Sequence, residues 1–200
     1  MISQIYLDLD DVCADFTLYA LQQVGCSFVR HPRDFQAYDP KWGYDIIRAA
    51  NELHLNLEFT YDSFWEQIDR SIWSNVPEST EFKPLLGFCR ALVGEPNICI
   101  LTSSIIGPDC AAGKVEWIQA HMPEKMKCQY LIGPPKHLLA QPNALLIDDR
   151  EENVNLFKAH DGHAILFPRP WNKLHSITED WLTYVFGVAL QHTSTQKVAV

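Results

Sequence analysis

Ile5-Tyr6-Leu7-Asp8-Leu9-Asp10-Asp11-Val12 decides the fold. An apolar run opens close to the start of the chain and ends in acid. Side chains alternate along a strand, so Asp8 and Asp10 point to the same side and reach one pocket. Carboxylates at this spacing repel one another and resist burial unless a cation or a shared proton compensates. The stretch therefore reads as a buried strand that presents a metal-dependent site at the tip of a sheet.

Working outward, further short apolar runs have the character of buried parallel strands: 97–102 (NICILT), 129–132 (QYLI), 144–148 (ALLID) and 163–167 (HAILF), after the first at 2–9. Helical patterns separate the later runs. Residues 81–93 are amphipathic. Gly107-Pro108 opens a helix through His121, and residues 150–160 form another that Asp161-Gly162 ends in a turn. Strand and helix in alternation predict an α/β domain with a five-stranded parallel sheet and right-handed crossovers. Its ligands belong beyond the C-terminal strand ends.

Residues 17–77 break the alternation. They carry helical patterns over 61–72 and 44–54, continuing from one over 15–24. They are rich in aromatics: Phe28, Phe35, Tyr38, Trp42, Tyr44, Phe59, Tyr61, Phe64, Trp65 and Trp73. The expected organisation is a core of residues 1–16 and 78–190, a helical cap over 17–77 inserted after the first strand, and a flexible polar tail from 191 to 200.

A net charge of −9 in 200 residues excludes a nucleic-acid polymer as the partner, because phosphate backbones are held by Lys and Arg. A small phosphorylated ligand remains open where a metal supplies the positive charge. The six cysteines form no CxxC pair and read as reduced thiols of a cytoplasmic protein. No run approaches the roughly 18 apolar residues of a membrane span, and no secretion signal is visible. The histidines show no metal-site spacing; His121, His160 and His163 read as structural or solvated, and the Trp117 helix face as packing.

The strand ends carry the chemistry. The first gives Asp8 and Asp10, the second Thr102, Ser103 and Ser104, and the fourth Asp148 and Asp149, with Lys136 between the third and fourth. Singly each is weak: an acid pair caps helices, a threonine ends strands, and a lysine after a proline is commonly solvated. Together, acid, hydroxyl and lysine suit phosphoryl transfer. A carboxylate attacks phosphorus, Mg²⁺ offsets the repulsion between two anions, and hydroxyl, amide and lysine groups hold the phosphate oxygens.

This order resembles the haloacid dehalogenase (HAD) superfamily phosphohydrolases: DLD at 8–10, ILTSS at 100–104, Lys136 and LLIDD at 145–149. More narrowly, DLDDVCADF (8–16), Thr102-Ser103, KVEW (114–117), LIDDR (146–150) and FPRPWN (167–172) are similar to the 5′(3′)-deoxyribonucleotidases. The resemblance implies a Rossmann-like HAD core with a small helical cap, and hydrolysis of phosphomonoesters through an aspartyl-phosphate. By position, Asp8 is the implied nucleophile. Asp10 is the implied general acid and base, and its main-chain carbonyl a metal contact. Thr102, Ser103, Lys114 and Lys136 hold phosphate, and Asp8, Asp10, Asp148 and Asp149 surround Mg²⁺. Which of the last pair touches the ion stays open. Phe16 matches a base-pocket position, and Phe64, Trp65 and Trp73 are further pocket candidates, against the alternative that they form the core of the cap.

The implied activity is that of a 5′-nucleotidase on (deoxy)ribonucleoside monophosphates. A HAD phosphatase for a sugar or cofactor phosphate, and a non-catalytic nucleotide-binding HAD protein, stay open, as does a homodimer. A receiver domain is disfavoured, because its acidic pair comes first in the chain. Three departures stand out: Asp11 where the family has glycine, Cys13 where it has leucine, and a Gly133-Pro134-Pro135 context before Lys136.

Overall fold

The computed structural model describes residues 1–26, 35–54, 57–105, 107–133 and 135–194. Its sheet is built from β1 (Gln4–Leu7), β2 (Ile98–Thr102), β3 (Tyr130–Ile132), β4 (Ala144–Asp148) and β5 (His163–Leu166). All pairings are parallel, in the order β3-β2-β1-β4-β5. The expected runs are right in place and order, and the strands are shorter by up to two residues at an end. The first strand stops at Leu7, so Asp8 and Asp10 lie just beyond it.

Alternation along the strands divides the core in two. Ile5, Leu7, Ile98, Ile100, Leu145, Ile147 and Ile165 pack in one cluster with α5 (Phe82–Val93), α6 (Pro108–His121) and α8 (Trp181–Ser194). Leu101, Ala144, Leu146, Ala164 and Leu166 pack in the other, with Val154 and Phe157 of α7 (Glu151–Ala159). Full burial of each large aliphatic side chain stabilises by about 1.5–3 kcal/mol, which fixes the strand register strongly. α8 was not anticipated. It begins where the Asp180 carboxylate accepts from the Thr183 N–H and hydroxyl, and it continues to Ser194. Residues 191–194 are therefore helical, not tail; residues 195–200, like Phe28 and Pro134, lie outside the described residues.

Among the described residues between β1 and α5 are four α-helices: α1 (Phe16–Gln23), α2 (Ile46–Leu53), α3 (Tyr61–Trp65) and α4 (Arg70–Ser74). The single helix expected over 61–72 is two. The Asp69 carboxylate accepts from the Ile72 N–H at 2.9 Å and starts α4 afresh, with Asp69 itself extended. The insertion rests on the core through α4 and α6. Gly113 makes this approach close: a Cβ there would lie 2.3 Å from the Trp73 Cβ and 2.7 Å from the Arg70 carbonyl oxygen. Among the described residues no helix is long and apolar enough to cross a membrane.

Candidate active site

β1 lies between β2 and β4, so the residues beyond these three strands converge. The Asp8 N–H extends the ladder to the Ile147 carbonyl at 3.0 Å and places its carboxylate beside Asp148. Lys136, on a short 3-10 turn after β3, inserts its ammonium between them, 2.7 Å from Asp8 Oδ1 and 2.6 Å from Asp148 Oδ2. All three are buried. Burial alone lowers a lysine pKa, but the pairs with Asp148 and Asp8 outweigh it and hold Lys136 above the ordinary lysine range.

One lysine does not neutralise this site. Asp8, Asp148 and Asp149 bring carboxylate oxygens within 4.8 Å of one another. Burial pushes the Asp8 carboxyl up to about 7, against the pull of Lys136, and pushes Asp149 well above the carboxylate range. Asp148 is saturated by the protein: Oδ1 accepts from the Arg150 N–H, Oδ2 from Lys136, and Asn153 Nδ2 reaches both. Asp149 differs. Its Oδ2 accepts from Trp171 Nε1 at 2.6 Å, while Oδ1, equally buried, has no hydrogen-bond partner. An orphaned carboxylate oxygen among buried acids fits a hard divalent cation.

The Asp10 carboxylate is not in this cluster. It accepts from Lys114 Nζ at 2.6 Å, and the same ammonium donates to Thr102 Oγ1 at 3.0 Å and the Ser103 carbonyl at 2.5 Å. The Asp10 carboxylate, expected to act as acid and base, is thus paired with a lysine, and the contact expected between Asp10 and a metal is through its main-chain carbonyl. Lys114 is buried below Trp73, 5.0 Å from its ring centroid. Thr102 is buried, whereas Ser103 is exposed on the cavity wall.

Asp11, the departure from glycine, has φ 60, a left-handed backbone that glycine adopts freely and Asp tolerates. Its carbonyl accepts from Arg169 Nε at 2.7 Å. Cys13 is buried and directs its thiol at the Asp8 carbonyl, 3.0 Å away.

Beside these groups opens a cavity of about 660 Å³ between the strand tips and the helical insertion. Asp10, Lys114 and Ser103 form its floor. Phe16, Trp73 and Trp65 line it as a trio of near-parallel rings. Phe16 and Trp73 are 4.3 Å apart at 4°, and Trp65 lies about equally far from both, 6.0 Å from Trp73 and 6.2 Å from Phe16. The indole N–H groups of Trp65 and Trp73 have no hydrogen-bond partner. Phe64 does not line the cavity. It is fully buried, edge-on to Phe59 and Trp65, in the apolar core of the insertion. Tyr38, Trp42, Tyr44, Arg150 and Trp171 also line the cavity and were not singled out beforehand. The aromatic richness of 35–44 was the signal for the first three, and the LIDDR (146–150) and FPRPWN (167–172) stretches held Arg150 and Trp171 without showing their roles; no local pattern marks Asn153.

Residues 1–182 match the family described as 5′ nucleotidase, deoxy (pyrimidine), cytosolic type C protein. No curated protein matches the chain. Among solved structures, the chain is similar to a haloacid dehalogenase-like family hydrolase from Xanthomonas campestris, with a TM-score of 0.55 and 12% identity over 97% of this chain and 94% of that one. A HAD family hydrolase from Deinococcus radiodurans, with bound phosphate and sodium, gives 0.49 and 13% over 84% of each chain. The first of these likenesses shows the fold: a parallel sheet flanked by helices, as in HAD hydrolases.

Proposed function

The chain belongs to the cytosolic type C family of 5′ (deoxy)nucleotidases, and from that premise we propose that it is a Mg²⁺-dependent phosphomonoesterase for (deoxy)ribonucleoside 5′-monophosphates. The observation that carries this reading is the trio of near-parallel rings Phe16, Trp73 and Trp65 set in one cavity with Asp10, Lys114 and Ser103. A planar base continues such a stack at about 1–3 kcal/mol. Lys114 and Ser103 line the same cavity, where a phosphate would be held.

Asp8 is the nucleophile in this reading. Its carboxylate attacks phosphorus, and the nucleoside oxygen leaves with a proton from Asp10. The aspartyl-phosphate is then hydrolysed by a water that Asp10 deprotonates. Lys114 now neutralises Asp10. An arriving phosphate competes for that ammonium and for the Thr102 and Ser103 hydroxyls, which frees Asp10 to take up and deliver a proton. Lys136 favours the ionised form of Asp8 against its burial and holds Asp148 in place.

Asp8, Asp149 through Oδ1, and the Asp10 carbonyl are the groups we assign to Mg²⁺, with Asp148 holding Lys136 from behind. The ion supplies charge that lets one anion approach another. Cys13, Cys26, Cys89 and Cys110 are buried free thiols, which supports a reducing, cytoplasmic setting.

The test is phosphate release from a panel of monophosphates with Mg²⁺, containing deoxy and ribo forms of pyrimidines and purines and one sugar phosphate. Nucleotide turnover above sugar-phosphate turnover is expected, with deoxypyrimidines, the class in the family's description, ahead. Asp8→Asn should abolish turnover; a fully active Asp8→Asn removes the nucleophile assignment.

A further inference from the structure

The segment Phe167–Asn172, directly beyond β5, grips the acidic end of β4. The Phe167 N–H donates to the Asp148 carbonyl at 2.8 Å. Asn172 Nδ2 donates to the Asp149 carbonyl and back to the Phe167 carbonyl, each at 2.8 Å. Trp171 Nε1 donates to Asp149 Oδ2 at 2.6 Å. The backbone and one carboxylate oxygen of Asp149 are thus all held by this segment.

We propose that Trp171 is a positioning residue for the metal: its indole N–H occupies one oxygen of Asp149 and so presents the other, Oδ1, to the ion. This rests on the metal assignment of the preceding subsection. Asp149 Oδ1 is buried and unpartnered, although Oδ2 of the same group is tightly bound. With Oδ2 taken up by the indole, Oδ1 is the oxygen left without a protein partner for a cation. Trp171 has little freedom of its own. It is 5% exposed, with Tyr38 edge-on at 5.1 Å and Phe35 at 6.3 Å, both from the insertion. Donors that orient ligating groups in this way set metal affinity by roughly 10- to 100-fold.

Two variants separate the N–H from the ring. Trp171→Phe keeps an aromatic ring and removes the donor. Trp171→His keeps a ring N–H in a smaller ring. Each is folded and melted without substrate over a Mg²⁺ series at a pH of about 8, where imidazole is neutral. kcat and KM follow at saturating Mg²⁺. We expect Trp171→Phe to require roughly 10- to 100-fold more Mg²⁺ for the wild-type rise in melting temperature. Its turnover should return at high Mg²⁺, with KM for the nucleotide little changed. Mg²⁺ affinity should fall in the order Trp, His, Phe. The order Trp, Phe, His overturns the proposal, because ring packing then decides. A raised KM with unchanged Mg²⁺ dependence overturns it too, because the ring then serves only as cavity wall. A wild-type chain whose melting and turnover ignore Mg²⁺ removes the metal reading and this proposal together. A responsive wild type with an unaltered Phe variant removes this proposal alone.

Discussion

The Asp11 carboxylate accepts two hydrogen bonds from Thr17, from the backbone N–H at 2.9 Å and from the hydroxyl at 2.6 Å. Thr17 is the second residue of α1, and Asp15, which precedes that helix, makes no side-chain cap. The acid that replaces a glycine therefore caps the first helix of the insertion from the turn that follows the nucleophile. Its left-handed backbone satisfies the geometry that glycine would provide, and its side chain adds a tie between the strand tip and α1.

Asp11→Gly should separate these two roles. The turn is retained, while the cap is lost and the Thr17 hydroxyl is left buried without its partner. Denaturant unfolding should show a loss of about 1–3 kcal/mol, with turnover kept within several-fold. Asp11→Ala should lose about 1–2 kcal/mol more, because alanine is strained in the left-handed region. Equal stability of the Gly variant and wild type would show that the cap contributes nothing.

Lys136 is expected to be the most costly single loss. Among the described residues it is the one cation bonded to both Asp8 and Asp148, and all three side chains are nearly inaccessible. Lys136→Met preserves the stem and strands both carboxylates without it. Removing one member of a buried ion pair costs about 3–5 kcal/mol. Unfolding in urea should show a loss of that order, and phosphate release should fall by two orders of magnitude or more. A Lys136→Met chain as stable as wild type would show that the acids are already relieved in another way.

The two neighbouring aromatics of α3 should behave oppositely. Phe64→Ala empties a fully buried site and should cost about 3–5 kcal/mol of stability. Among molecules that remain folded, KM should change little. Trp65→Ala removes one ring of the stacked trio and should raise KM, by up to about 1–3 kcal/mol of lost stacking, with a smaller effect on melting. Steady-state kinetics beside thermal melts decides between them; a KM effect confined to Phe64→Ala reverses the assignment.

These contrasts mark where local sequence stops being informative. The strands and their polar ends were legible because a strand buried on both faces is a plain apolar run, and its functional residue falls at a definable end. Asp8, Thr102 and Asp148 were placed at strand ends in this way, and the sheet order brings those strand ends together. The break at Asp69 was hidden by Phe64, Ile68 and Ile72, which keep a helical spacing across it while the side chain of Asp69 caps locally. Phe64 and Trp65 are adjacent, and only the packing of α3 on its neighbours decides which ring faces inward. Lys114 lay in a recognisable motif, yet its pairing with Asp10 joins residues 104 apart in the chain. The hold of Trp171 on Asp149 and of Arg169 on Asp11 likewise joins segments that only the finished fold makes neighbours.

The approach of α4 to α6 should set the position of the stacked trio. Gly113 lies in the interior of α6, where glycine is unfavourable for a helix by roughly 1 kcal/mol relative to alanine. The reason it is needed is spatial: a Cβ there would meet the Trp73 Cβ at 2.3 Å, the Arg70 carbonyl oxygen at 2.7 Å and the Ser74 nitrogen at 3.2 Å. The first two contacts cannot be relieved by a rotamer change, since they involve the root of a side chain and the backbone. In Gly113→Ala, α4 must move outward and carry Trp73 away from Phe16, now 4.3 Å from it. The propensity gained by alanine is outweighed by an overpacking cost of about 1–3 kcal/mol. Melting temperature should therefore fall despite the better helix former, and KM for nucleotide should rise. Turnover of a small phosphate ester that lacks a base should change less, because Asp8, Lys136 and Asp148 lie outside the α4–α6 contact and only Lys114, beside Gly113 and below Trp73, lies at it. Equal losses on both substrates would mean that the shift reaches the strand tips, and an unchanged KM on both would show that the stacked trio does not bind the base.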